Sequence, residues 1–204
     1  MVEAIETYKV RIRGTRPLIM NKFNPEPTRR RTGDIPDPVE EAKKAIYRDE
    51  NGRIAIPTYM IKASIRNASA DYRVPGKGRK TYKDYVRAGI LFEEEYAPLI
   101  VPDGKDPEEA WEVDLRPMVV QRSRIMRARP KFKEWELEFT VHIIDPIITP
   151  DALKRFISDA GKYKGLGDSR PDYGLFKLVT FEKVENGARK DTPDQSGEES
   201  QANT

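Results

Sequence analysis

Residues 6–13 (ETYKVRIR) alternate, with Tyr8, Val10 and Ile12 on one face and Lys9, Arg11 and Arg13 on the other. Period-two alternation predicts a half-buried strand. A second clean alternation runs from Trp135 to His142. Trp135, Leu137, Phe139 and Val141 share one side; Glu136, Glu138, Thr140 and His142 share the other. If the two strands are neighbours, the basic face of the first meets the acidic face of the second and their charges pair across the sheet.

Helical signals fall between the strands. Asp37 is an N-cap candidate with Pro38 at the first helical position and Glu40 in capping-box register, which predicts a short helix to Tyr47. Glu40 and Lys44 add an i,i+4 pair. Asn51-Gly52 marks a turn into the strand Ile54-Ala55-Ile56. Pro57-Thr58 opens a second helix with Ile61, Ile65 and Ala68 on its apolar stripe. Thr149 and Pro150 open another, on which Leu153, Phe156, Ile157 and Ala160 recur at i, i+3, i+4 and i+7, with Gly161 as its terminator. Shorter apolar runs at Ile90–Phe92, Pro98–Val101 and Trp111–Val120, and a last run from Leu175 to Val184, read as strands. Four prolines (Pro25, Pro27, Pro36, Pro38) and Arg29, Arg30 and Arg31 make residues 24–38 a loop with a basic tip.

Stripped of insertions, the order is β-α-β…β-α-β. The fold class it predicts is α+β: a ferredoxin-like or RRM-like antiparallel sheet with two main helices on one face and inserted basic hairpins. Residues 1–186 form a single domain in this reading, with insertions at 24–48 (loop and helix) and 71–133 (a hairpin lobe). Residues 187–204 have no large apolar residue to offset their ordering entropy and read as a disordered acidic tail.

Composition narrows the chemistry. The 204 residues include no cysteine and one histidine, which excludes disulfides, Cys-ligated metals, cysteine nucleophiles and His cages. No apolar run approaches the ~20 residues that cross a bilayer, so a cytoplasmic protein without a membrane partner is expected. Nothing calls for a metal or cofactor. Charged residues make up 35%, against about 25% in ordinary domains. The net charge is +3, and setting aside the four acids of residues 191–204 leaves +7 on residues 1–190. A basic body points to a polyanion.

The strongest local signal is residues 121–133, where Arg122, Arg124, Arg127, Arg129, Lys131 and Lys133 occur without an acid. As a projecting hairpin it would track a phosphate backbone; the bland alternatives are a solvated hairpin or a ladder paired with the acidic 106–112 region. Arg79 and Lys80 sit in a second basic stretch. Tyr72, Tyr82, Tyr85 and Phe132 lie among the basic residues, where they either stack on unpaired bases or pack into the core. The turn KGLGDSRPDYG (Lys164 to Gly174) lacks the GK[ST] of a P-loop and leads into a strand. It is either a connector whose glycines supply positive φ or an anion contact helped by Arg170. Asp168 within it is a weak candidate for a lone catalytic acid, and His142, at a strand end without a nucleophile nearby, reads as an edge histidine.

IPTYMIKASIRNAS (Ile56 to Ser69) and GLGDSRPDYGLFKLVTFE (Gly165 to Glu182) resemble, respectively, the strand–Pro–helix entry and the C-terminal glycine-rich loop and final strand of the RAMP superfamily. The phrases GTRPLIMNKF, RIAIPTYMIKASI, RPMVV, RARPKFKEWELEFT and AGKYKGLGDSRPDYGLF also resemble a family of proteins of phages and integrated mobile elements, over residues 10–183. The RAMP resemblance implies an RRM-derived core like that of the guide-RNA-binding backbone subunits of CRISPR complexes. It implies phosphate contacts from Lys62 and Arg66 and from the Gly165–Arg170 turn, with the 121–133 segment as a thumb. The DSRPDYG turn departs from that superfamily's run of glycines.

The expected function is non-catalytic, largely sequence-independent binding of single-stranded RNA or DNA, RNA favoured, with possible self-assembly along the strand. The expected contacts are Lys62, Arg66, Arg79, Lys80, Arg122, Arg124, Arg127, Arg129, Lys131 and Arg170. The alternatives are a metal-assisted endoribonuclease using Asp168 or a loop acid, Asp34 or Asp37, and a phage structural or assembly protein.

Overall fold

The computed structural model describes residues 6–23, 37–120 and 123–184; the 24–36 loop and the acidic tail lie outside them. Among the described residues, two antiparallel sheets and four α-helices make an α+β fold. The larger sheet contains β1 (Glu6–Gly14), β3 (Ala55–Pro57), β4 (Ile90–Phe92), β5 (Tyr96–Ile100), β8 (Glu136–Ile143) and β9 (Phe176–Lys183). Its order is β3-β5-β8-β1-β9, with β4 also paired to β8. No helix among the described residues is long and apolar enough to cross a membrane.

The two alternating segments are neighbours, as their polar faces predict. β1 pairs antiparallel with β8, Arg13 opposite Glu136 and Arg11 opposite Glu138. Val10, Ile12, Leu137, Phe139 and Val141 are buried on one side, against α2 (Thr58–Ser69) and α4 (Pro150–Asp159). The other side is a charge ladder. Lys9 meets Glu138 at 2.7 Å, while Arg11 donates Nε to Glu136 at 2.6 Å and Arg13 bonds its other oxygen. Glu136 is fully buried. Burial pushes its carboxyl up, but the two guanidiniums outweigh that and hold it below the usual carboxylate range.

The helix caps follow the sequence. Asp37 accepts from Val39 N at 2.9 Å at the start of α1 (Pro38–Lys44), and Thr149 accepts from Ala152 N at the start of α4. Two expectations are corrected. The 71–133 lobe is not all hairpin, because Tyr82–Gly89 form helix α3. In it Tyr82, Tyr85, Val86 and Gly89 fall at i, i+3, i+4 and i+7, and Gly89 is small because a Cβ there would strike Asp145 and Ile148. Gly161 does not end the helix after α4. The chain continues through a π-helical turn (Ala160–Lys164), and the left-handed terminator is Gly165, at φ 71°. Gly161 is instead a close-approach glycine, whose Cβ would overlap the carbonyl oxygen of Phe176.

Candidate nucleic-acid interface

The second sheet is a long hairpin, β6 (Trp111–Val120) with β7 (Ser123–Phe132), joined on the far edge of β7 by β2 (Leu18–Ile19). Its register sets Glu112 opposite Lys131, Asp114 opposite Arg129 and Arg116 opposite Arg127. Directly opposed residues share a face, so the hairpin has one charged face. The other face is apolar over Val113, Leu115, Met126 and Ala128. Near the base it joins the core through Phe132; farther out Leu115 and Met126 are half exposed.

Among the described residues, the charged face is largely paired from within the chain. Arg129 is only 3% exposed. Its Nη2 donates to Asp114 at 2.9 Å, and its Nη1 to Asp168 at 2.7 Å and Ser169 Oγ at 3.1 Å. It therefore has no surface to offer a polymer. Arg127 pairs with Glu41 of α1 at 3.1 Å. Lys131 and Lys133 share Glu112, whose carboxyl they hold below its usual range. Arg122 lies outside the described residues, as does the side chain of Arg124.

The same bonds attach the glycine-rich turn to the hairpin. Asp114 also takes Arg116 Nε at 2.8 Å, and the Arg116 guanidinium lies 4.7 Å from the ring centroid of Tyr173, a cation–π contact. Asp168 N donates to Ile19 O and Gly174 N to Pro17 O, both at 2.8 Å, so the turn lies on the segment around β2. Gly167 is required there: its φ is 73°, and a Cβ would overlap the carbonyl oxygen of Ile19. Ser169 adopts φ 57° without being glycine. Burial pushes the Asp168 carboxyl up, but Arg129, the Ser169 N–H and the Asn21 amide (3.1 Å) outweigh it and keep it low. An ionised carboxylate with both oxygens engaged is an anchor rather than a proton-transfer group. Among the described residues, no three His, Asp or Glu side chains converge as a metal site.

Two of the helix cations are drawn inward. Lys62 donates Nζ to the carbonyl of Ile90 at 2.8 Å, and burial lowers its ammonium pKa. Arg66 is half-buried, its Nε inaccessible and without a partner among the described residues. Arg79, Lys80 and Arg170, in contrast, are exposed and form no ion pair among the described residues. Arg170 borders an open cleft of about 450 Å³ between α2 and the turn, lined also by Asn67, Tyr163, Lys164, Gly167, Asp168, Ser169 and Pro171, with the Asp168 carboxylate already engaged by Arg129. Tyr72, Tyr82 and Tyr85 pack against the core and Phe132 is buried, so the core reading of these rings holds. His142 accepts or donates at Nδ1 with Thr7 Oγ1, 2.9 Å away, on the solvated face. Sequence reasoning missed Asp114, Tyr173, Asn67 and Tyr163. Only Asp114 had a signal, the Glu112-Asp114-Arg116 alternation opposite a basic strand.

No protein-family model matches the chain, and no curated protein does. Among solved structures it is similar to a chain of the type III-B Cmr-beta complex, determined by cryo-EM bound to cognate target RNA. The TM-score is 0.57 at 14% identity, covering 88% of this chain and 61% of that one. The chain thus spans about three-fifths of the length of that Cmr-beta chain. The likeness is one of fold.

Proposed function

We propose that this chain is a non-catalytic, RAMP-type protein that grips the backbone of single-stranded RNA largely without reading its sequence. The carrying observation is the cleft between α2 and the glycine-rich turn, with exposed Arg170 at its edge and no competing acid on that guanidinium among the described residues. Arg79 and Lys80 extend the exposed positive charge. Two further observations support a ferredoxin-like core. The order β9-β1-β8-β4 has every neighbouring pair antiparallel, and in the chain α2 lies between central β1 and outer β4 while α4 lies between central β8 and outer β9. RNA is favoured over DNA because the similar Cmr-beta chain comes from a complex with target RNA.

In this reading the hairpin is a rigid projection rather than the main phosphate grip. Its base is fixed by Arg129, and its half-exposed Leu115 and Met126 present an apolar wedge to unpaired bases. Arg122 and Arg124 add their positive charge to this grip. Asp168 holds the turn in place and takes no chemical role. Copies of the chain assemble side by side along one RNA.

Fluorescence anisotropy with a labelled single strand across a salt series tests the reading. Each phosphate neutralised contributes about −0.7 to the slope of log K against log salt, so three exposed cations give roughly −2. A flat salt response, or no binding, contradicts it.

A further inference from the structure

Charge leaves two tyrosines without a role. Tyr59 is 65% exposed and Tyr163 56%, whereas Tyr72, Tyr82 and Tyr85 pack against the core. An aromatic ring is a large apolar surface, and leaving it in water forgoes the stabilisation its burial would give.

Both rings have neighbours that restrain them. Tyr59 neighbours the Tyr47 phenol, and Tyr47 OH donates to the carbonyl of Asn21 at 3.3 Å. Burial, then the neighbouring Tyr59 phenol, push Tyr47 up to about 12, so it remains a neutral donor. The Lys162 ammonium lies 5.0 Å from the Tyr163 ring centroid, and Tyr163 also lines the cleft.

Helix α2 connects the two places. Tyr59, Ala63 and Asn67 follow one another at i, i+4 and i+8, a slowly turning stripe. At 1.5 Å per residue it runs about 12 Å from Tyr59 to Asn67. The methyl group of Ala63 leaves the middle of the stripe low. Asn67 lines the same cleft as Tyr163, is exposed, and has no hydrogen-bond partner among the described residues. Its amide offers both donors and an acceptor.

We infer that Tyr59 and Tyr163 are base-stacking platforms at the two ends of this stripe, occupied by unpaired bases of one nucleic-acid strand. Asn67 meets a base edge beside Tyr163, and Arg170 holds the adjoining phosphate. The inference rests on the single-strand reading above and adds contacts to the bases, which charge alone does not supply. Every base has a π-face, so such contacts tolerate any sequence.

The test is anisotropy on the full chain with two labelled RNA-length strands of equal charge, one of mixed sequence and one abasic. The wild-type protein is expected to bind the base-bearing strand about tenfold more tightly or better. Tyr59→Ala and Tyr163→Ala each lower that affinity by about tenfold, with abasic binding and the salt slope unchanged. Tyr59→Phe and Tyr163→Phe retain the wild-type preference and control for folding. Wild-type protein that binds both strands equally, with the expected salt slope, overturns the stacking sites alone. So do alanine variants that keep the preference. Wild-type protein that binds neither strand overturns the RNA-binding reading and the stacking sites together.

Discussion

Positive charge on the strands and positive charge on the loops meet different fates. On β1, Arg11 and Arg13 converge on buried Glu136. On β7, Arg129 is enclosed by Asp114 and Asp168. In the loops, Arg79, Lys80 and Arg170 remain exposed and unpaired among the described residues. Sheet geometry explains the difference. Fixed register carries a strand cation to within a few ångströms of its cross-strand neighbour, so an acid placed there neutralises it. A loop cation has no obligatory neighbour. Runs of Arg on a strand therefore measure internal pairing as much as ligand affinity, and the loops hold the charge available to a partner.

Removing a strand cation should damage the fold. Arg129→Met leaves Asp114 buried with one guanidinium lost and Asp168 without its main partner. The expected cost is about 3–5 kcal/mol, read as a drop in the urea midpoint at unchanged m-value. A midpoint like the wild type's would mean that the clamp contributes no stability. Gly167→Ala attacks the turn that Arg129 holds; positive φ and the overlap with Ile19 should cost more than about 1 kcal/mol by the same assay.

Acid should loosen both strand networks. Asp168 and Glu136 titrate below their ordinary ranges in the folded chain. Their stabilisation is thus complete above the unfolded values, about 4, and is lost as pH falls through the lower folded values. Thermal midpoints measured from pH 7 down to pH 2 should hold near neutrality and fall in the acid range, and a midpoint level throughout would contradict this. At the small end, Lys133→Ala removes an exposed member of the Glu112 pair and should leave the thermal midpoint unchanged within error.

Much of this was legible in the sequence, for identifiable reasons. The alternations of 6–13 and 135–142 gave both central strands, their buried faces and their cross-strand charges, because period two and burial on one side state the same constraint. Pro38, Pro57 and Pro150 gave the helix starts. Helix α3 was obscured by the polar residues around its Tyr82–Tyr85–Val86 stripe. The end of the helix after α4 was misplaced because Gly161 is small to clear Phe176, and sequence alone does not distinguish close approach from a helix stop. The fate of Arg129 depends on Asp168, 39 positions away, and on a hairpin register invisible in a count of nearby acids. Arg127 likewise finds Glu41 through the packing of α1 on the hairpin.

The most direct test compares two charge reversals for single-stranded RNA binding by anisotropy over a salt series. One variant carries Arg79→Glu, Lys80→Glu and Arg170→Glu in the loops; the other carries Arg127→Glu on the strand. The loop variant is expected to lose binding and its salt dependence, while the strand variant keeps a slope within about 0.7 of the wild type. A loop variant that binds like the wild type, beside a strand variant that does not bind, would contradict the assignment of the RNA grip to the loops.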